Sequence, residues 1–356
     1  MPTQNATIDE NRLHEFMGKM VGDLGAAATS VLVILGQELG LYRAIAEHGP
    51  LTADELAQKT GAAPRYLQEW AANQAASGYI EYDADTHRFS QTPEQAAVFA
   101  DEESPFFMGG GFYSIASLFS DQPKLVELFR TGKGLSWGDH DSCLFCGTAK
   151  FFKPTYKANL LASWIPALDG VQAKLEKGAK VADVGCGYGH STLMMAEAFP
   201  NSRFYGYDFH APSIEHATQL AKEKGLGNVT FEVAKAKSFP GEGYDLITFF
   251  DCLHDMGDPQ GACRSVHGKL DPDGTLMIVE PIAKDTLKEN LNPVGRVYYA
   301  FSTTVCTPSS LSQEVGLALG AQAGEKRLRE VVTAGGFTRF RRASETPFNM
   351  VLEARP

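Results

Sequence analysis

Apolar residues recur at helical spacing from Leu13 to about Ala46 (Phe16, Met20, Leu24, Ala27, Val31, Ile34, Leu35), which predicts two helices ending in LGLYRAIAEHGP. A third helix starts at Thr52 and is broken at Thr60-Gly61, and a fourth runs over 63–76 before SGYIEYDADTHRFSQT supplies a small hairpin. That order is a helix-turn-helix followed by a wing. Residues 105–175 read as mostly helical, and PFFMGGGFYSIASLF sets an unusual density of aromatics beside three glycines. Packing between domains accounts for such aromatics as well as an apolar ligand cavity does.

From Lys180 the pattern changes. Short apolar runs at 181–184, 202–208, 229–233, 244–250 and 275–280 read as strands, with helices at about 190–199, 213–224 and 259–270 between them. Strand and helix in alternation predict a parallel sheet covered on both faces. After a helix at 325–334, GGFTRFRRA and FNMVLEAR predict a closing antiparallel pair. The expected fold is thus α/β, a Rossmann-like sheet, mostly parallel with a final antiparallel strand, behind an N-terminal, mainly helical winged-helix domain. The expected division is 1–105, a helical connector at 106–169, and 170–356.

Charge narrows the partners. The chain of 356 residues has a formal net charge of -11. Residues 1–105 hold six basic residues against sixteen acidic ones, so nearly all of the excess sits on the winged helix. The candidate recognition helix offers only Arg65 among alanines and a tryptophan. A nucleic-acid or anionic-membrane partner demands a positive face, so neither is expected. The start lacks a basic segment followed by an apolar run, and no uninterrupted apolar stretch approaches spanning length, so a cytoplasmic location is expected. Cys143 and Cys146 form the only CxxC, with no second pair to complete a zinc site.

The chemistry begins at KVADVGCGYGHSTLMMAEAF, a strand followed by Gly185, Gly187 and Gly189 and then a helix. A glycine turn between strand and helix lets a ligand approach bare amides at a helix start, which favours a nucleotide-like group. The next strand ends in Asp208, placed to accept both hydroxyls of a ribose. The fourth strand runs into FFDCLHDMGDP, which delivers Asp251 and His254 to the rim where ligands of open parallel sheets bind. An imidazole there can take a proton from a hydroxyl. The other histidines (His14, His48, His87, His140, His190, His210, His216, His267) lack such a context. Asp255 and Asp258 fall at a following helix start, where carboxylates are favoured, and with no clustered ligands a metal-free route is expected.

Asp183 two residues before the first glycine and the tight GxGxG make this run resemble motif I of class I methyltransferases that use S-adenosylmethionine (SAM). The resemblance implies a SAM site made by Asp183, Gly185, Cys186, Gly187, Asp208, Phe209, Lys235, Ala236, Phe250 and Asp251. Lys235 stands where the family often has an Asp, so adenine would rest on backbone groups at Lys235 and Ala236 and on the face of Phe209. The first hundred residues resemble the winged-helix domain of small-molecule O-methyltransferases, which implies a homodimer and a wall of the substrate pocket. LHDM resembles that family's LHDW segment and implies His254 as general base, with Glu280 orienting it. Glu280 paired only with a backbone amide is the other reading. The segment NLNPVGRVYYAFSTTVCTPSSL would be a helical lid offering Asn292, Arg296, Tyr299 and Ser302 to the substrate. Three functions remain compatible: methylation of a hydroxyl on a small hydrophobic or aromatic molecule, N- or C-methylation on the same scaffold, and a SAM-sensing winged-helix regulator without turnover.

Overall fold

The structure, a computed structural model, describes residues 8–356. It divides into two compact units, one comprising the chain up to Ser117 with Cys143–Pro154, the other Leu118–Ser142 with Thr155–Pro356. The stretch 106–169, expected as one connector, is therefore shared between the two.

In the first unit a long helix, Glu10–Glu38, is capped by the Asp9 carboxylate, which accepts from the amides of Asn11 and Arg12. Its C-terminal half enters the unit's core. Gly36 lets it approach Tyr42 and Trp70, since a Cβ there would lie 2.5 Å from the Tyr42 ring, and Trp70 Nε1 donates to the Leu32 carbonyl at 2.8 Å. Helices Leu41–His48, Ala53–Thr60 and Pro64–Ala76 follow, packed through Leu41, Ile45, Leu56, Leu67 and Trp70. Thr52 starts the third helix with a capping box to Glu55, and Arg88 from the hairpin grips both oxygens of Glu55 at 2.7 and 2.8 Å. The hairpin pairs β1 (Glu81–Asp83) with β2 (Arg88–Ser90).

The first helix keeps a second apolar face in solvent: Phe16, Met17, Val21, Leu24 and Val31 are all more than half exposed. Glu10–Glu38 is long and apolar enough to cross a membrane by length and composition alone, with an 18-residue window of mean hydropathy 1.5, although Lys19 and Asp23 interrupt its apolar run. Its buried residues, Thr29, Ser30, Val33 and Gly36, tie that same window into the winged-helix core.

The second unit is built on a seven-stranded sheet of β3 (Lys180–Val184), β4 (Arg203–Asp208), β5 (Val229–Val233), β6 (Tyr244–Phe250), β7 (Leu270–Pro281), β8 (Arg339–Glu345) and β9 (Asn349–Arg355). The order is β5-β4-β3-β6-β7-β9-β8. The first five strands run parallel, whereas β9 lies antiparallel between β7 and β8, as the sequence predicts. Val181, Ala182, Val184, Ile247, Phe249, Leu276 and Ile278 are buried, as continuous apolar strands covered on both faces must be. After β3 the chain winds outward to β4 and β5, then returns to the other side of β3 as β6. The crevice beyond the carboxyl ends of β3 and β6 is the switch point at which such sheets take ligands.

Candidate active site

At that crevice the backbone leaves β3 through Gly185 (φ +76°) and Gly187 (φ +52°), conformations that side chains disfavour. A Cβ on Gly185 would lie 2.7 Å from Cys252 Sγ, whereas at Gly187 no heavy atom stands within 4 Å of the Cβ position, so its bare backbone faces open space. Asp208, at the end of β4, is nearly buried, and its carboxylate accepts from the Gly187 amide at 2.9 Å and the His210 amide at 2.8 Å. Each oxygen keeps a lone pair for a further donor. Burial raises the Asp208 pKa, and the bonds from His210 and Gly187 work against that rise. Phe209 beside it is about half exposed.

The other residues expected at the cofactor differ in burial and partners. Asp183 is wholly buried: its carboxylate accepts from Ser191 Oγ (2.8 Å), Thr192 Oγ1 (2.6 Å) and Thr248 Oγ1 (3.0 Å). It therefore fixes the start of the helix His190–Ala198 against β6. Burial, opposed by those three bonds, pushes its pKa up to about 6. Cys186 is buried, its thiol raised by burial. The Lys235 side chain is exposed and its carbonyl accepts from the Ser238 amide, while Ala236 packs against the core. Phe250 is buried beside the Tyr156 ring, with centroids 5.3 Å apart.

Asp251 closes β6 with φ +50°, an uncommon conformation for a residue other than glycine. Its oxygens accept from Tyr156 OH (3.1 Å) and Asn349 Nδ2 (2.8 Å), two partners that sequence reasoning missed. Burial, and next the Glu280 carboxylate, raise its pKa well above the usual range.

His254 follows on a short turn and is buried. Its Nδ1 lies 2.5 Å from Glu280 Oε2, and Glu280 Oε1 accepts from the buried Leu253 amide at 3.0 Å, so Glu280 meets the imidazole as well as a backbone amide. The other ring nitrogen, Nε2, lies 3.2 Å from Asp255 Oδ1. Asp255 is thus at the imidazole, with Cys306, their polar atoms all within 4.8 Å of one another; Asp258 alone caps the helix Pro259–His267, as expected of both. Burial works to lower the His254 pKa, but Asp255 and Glu280 outweigh it and hold the pKa well above its ordinary value.

The expected lid is helical, Pro293–Phe301 continuing through Ser302–Cys306 into Thr307–Leu311. Two of its four expected substrate residues serve the fold: Asn292 caps the first helix by accepting from the Gly295 amide at 2.8 Å, and buried Ser302 accepts from the Ala321 amide at 3.1 Å. Arg296 is exposed and Tyr299 half-buried on that helix. Tyr298, which was not singled out, is buried and raised in pKa by burial and then by Asp251.

Residues 175–335 match the family model of a methyltransferase domain, and residues 27–100 match an Rv2258c-like winged HTH domain. The chain therefore carries a methyltransferase domain preceded by a winged helix-turn-helix domain. An uncharacterized methyltransferase of Bacillus subtilis, YcgJ, is 32% identical over 122 residues, 33% of this chain and 47% of that protein. The chain spans about half the length of the curated relatives it matches. Human N-acetylserotonin methyltransferase, solved in complex with SAM, superposes with a TM-score of 0.70 at 15% identity, covering 100% of this chain and 99% of that one. An O-methyltransferase family protein from Burkholderia thailandensis gives 0.68 at 16% identity, covering 98% of each chain. At such identities the likeness is one of fold.

Proposed function

We propose that this chain transfers the methyl group of SAM to a hydroxyl on a small hydrophobic or aromatic acceptor, as a cytoplasmic homodimer. The observation that carries the reading is the His254–Glu280 pair at the end of β6, beside the crevice formed by Gly187 and Asp208. The residues present fit SAM: open space at Gly187 admits a close ligand, and the Asp208 lone pairs suit the two hydroxyls of a ribose. SAM supplies an electrophilic methyl group when bound.

The rest belongs to the chain. A carboxylate only accepts, so Glu280 holds a proton on His254 Nδ1 and leaves Nε2 as the atom that takes the acceptor's hydroxyl proton. The imidazolium formed then sits between Glu280 and Asp255, two carboxylates that favour it. In the same surroundings Nε2 must first lose its own proton, so the reaction is favoured by rising pH. Labelled SAM offered with phenols, amines and keto acids tests the reading: a methyl ether is the expected product, and methylation confined to nitrogen or carbon, or none at all, would overturn it. Chelators should leave the wild type unchanged.

The winged-helix match favours one rival, a SAM-sensing regulator. Against it stand the domain's acidity and the helix Pro64–Ala76, whose exposed Arg65 is tied to Glu69 at 2.5 Å. Sequence-specific operator binding at physiological salt would favour the rival.

A further inference from the structure

His140, passed over in the sequence, forms a second buried imidazole–carboxylate pair. Its Nδ1 lies 2.8 Å from Asp121 Oδ2, and Asp121, itself buried, also accepts from Lys124 Nζ (2.8 Å) and the Asp141 amide (3.1 Å). Because the carboxylate takes the Nδ1 proton, the neutral ring presents Nε2 as an acceptor. That Nε2 is buried and has no hydrogen-bond partner among the described residues, and the residue is only 6% exposed. Buried polar atoms are nearly always satisfied, so an orphan of this kind calls for a hydrogen-bond donor from outside the chain.

The surrounding contacts say where His140 lies. Its segment passes His210, just beyond the ribose acid, where a Cβ on Gly138 would stand 3.4 Å from the His210 ring. The same segment is bound to the lid helix by the Leu135 amide, which donates to the Pro308 carbonyl at 3.0 Å. Pro308 is two residues past Cys306, which stands with His254 and Asp255. His140 is also among the groups whose electrostatic influence reaches Asp255. Asp255 Oδ1 is buried 3.2 Å from His254 Nε2, which meets it when the ring is protonated. His140 Nε2 is an acceptor, and a ketone, an ether or a hydrocarbon cannot satisfy it.

We infer that His140 is a recognition residue for a second hydroxyl of the acceptor, so that the substrate class is a polyhydroxylated aromatic rather than a simple phenol. This rests on the methyl-transfer reading for the identity of the first hydroxyl, but its test does not need turnover.

Calorimetry on the full chain loaded with S-adenosylhomocysteine would compare phenol, the isomeric benzenediols and their monomethyl ethers. The best diol should bind the wild type about tenfold more tightly than phenol, the worth of roughly one buried hydrogen bond. In His140→Phe that advantage should shrink to about twofold or less with S-adenosylhomocysteine affinity unchanged. Should this variant misfold, Asp121→Asn, which frees the ring to change tautomer, should reduce the advantage in the same way. No diol advantage in the wild type, or an advantage retained in both variants, would overturn the inference. Diol binding with no methyl transferred to any acceptor would instead sink the proposed function and leave the recognition site standing.

Discussion

His254 and Glu280 are joined by a 2.5 Å contact between Nδ1 and Oε2, and the second oxygen of the same carboxylate is held by the Leu253 amide one residue before the imidazole. Glu280 thus fixes both the ring and the backbone that carries it. Removing either partner leaves a buried polar atom of the other unmatched, which makes the pair sensitive to small changes.

His254→Ala should retain affinity for SAM and lower turnover on a phenolic acceptor by roughly 10²–10⁴-fold, the usual loss on removing a general base. Normal turnover in the variant would assign His254 to structure alone.

The pH profile follows from the two carboxylates around the ring. The His254 pKa is held well above its ordinary value, so the proton-accepting form gains population only as pH rises through that raised value. The rate constant kcat/KM in the wild type should climb with pH on the alkaline side of an unperturbed histidine. Asp255→Asn, which removes one of the charges, should move the rise to lower pH. A profile unmoved by that substitution would mean that another group controls it.

Asp208→Ala should weaken binding of S-adenosylhomocysteine by about 1.5–3 kcal/mol for each charged hydrogen bond to the ribose. The Gly187 amide also loses its acceptor, so calorimetry should show an unfavourable change even at the low end. Unchanged affinity would remove Asp208 from the cofactor site.

Asp183 makes a prediction for stability. Its folded pKa of about 6 lies above the roughly 3.9 of an unfolded aspartate, so the fold favours the protonated form. The contribution is fully present below the unfolded value and is lost as pH rises through about 6. Asp183→Asn keeps one oxygen for Ser191 and Thr192, turns its amide nitrogen to Thr248 Oγ1, which can accept, and removes the charge, so its stability relative to wild type should improve between pH ~4 and ~7, by up to about 3 kcal/mol. Urea melts at the two ends of that range that ran parallel for both proteins would contradict this.

The exposed face of Glu10–Glu38 predicts self-association. A contiguous row of Phe16, Val21, Leu24 and Val31 on one helix is more apolar surface than a monomer ordinarily leaves in water. Light scattering should report a dimer at micromolar concentration, and Val21→Glu with Leu24→Glu should convert it to a monomer without altering S-adenosylhomocysteine binding. A monomeric wild type would exclude the dimer.

What the sequence determined was local. The change from helical spacing to short apolar runs at Lys180 marked the parallel sheet, and the strands at 181–184, 229–233 and 244–250 agree closely with β3, β5 and β6. Gly187, Asp208, His254 and Glu280 could be found because each stands at the end of a strand, and the carboxyl ends of parallel strands share one rim. The tertiary structure alone decided what each side chain meets there. It turned Asp183 inward to three hydroxyls, gave Asn292 to the lid helix's own backbone and Ser302 to the amide of Ala321, and moved Asp255 from a helix start to the imidazole. It also brought Tyr156 and Asn349 to Asp251 across nearly a hundred residues on either side, and Asp121 to His140. Periodicity records which face of one element is apolar. It carries no record of which other element will cover that face, because strand order and loop path set those distances, and a buried polar atom is matched across them.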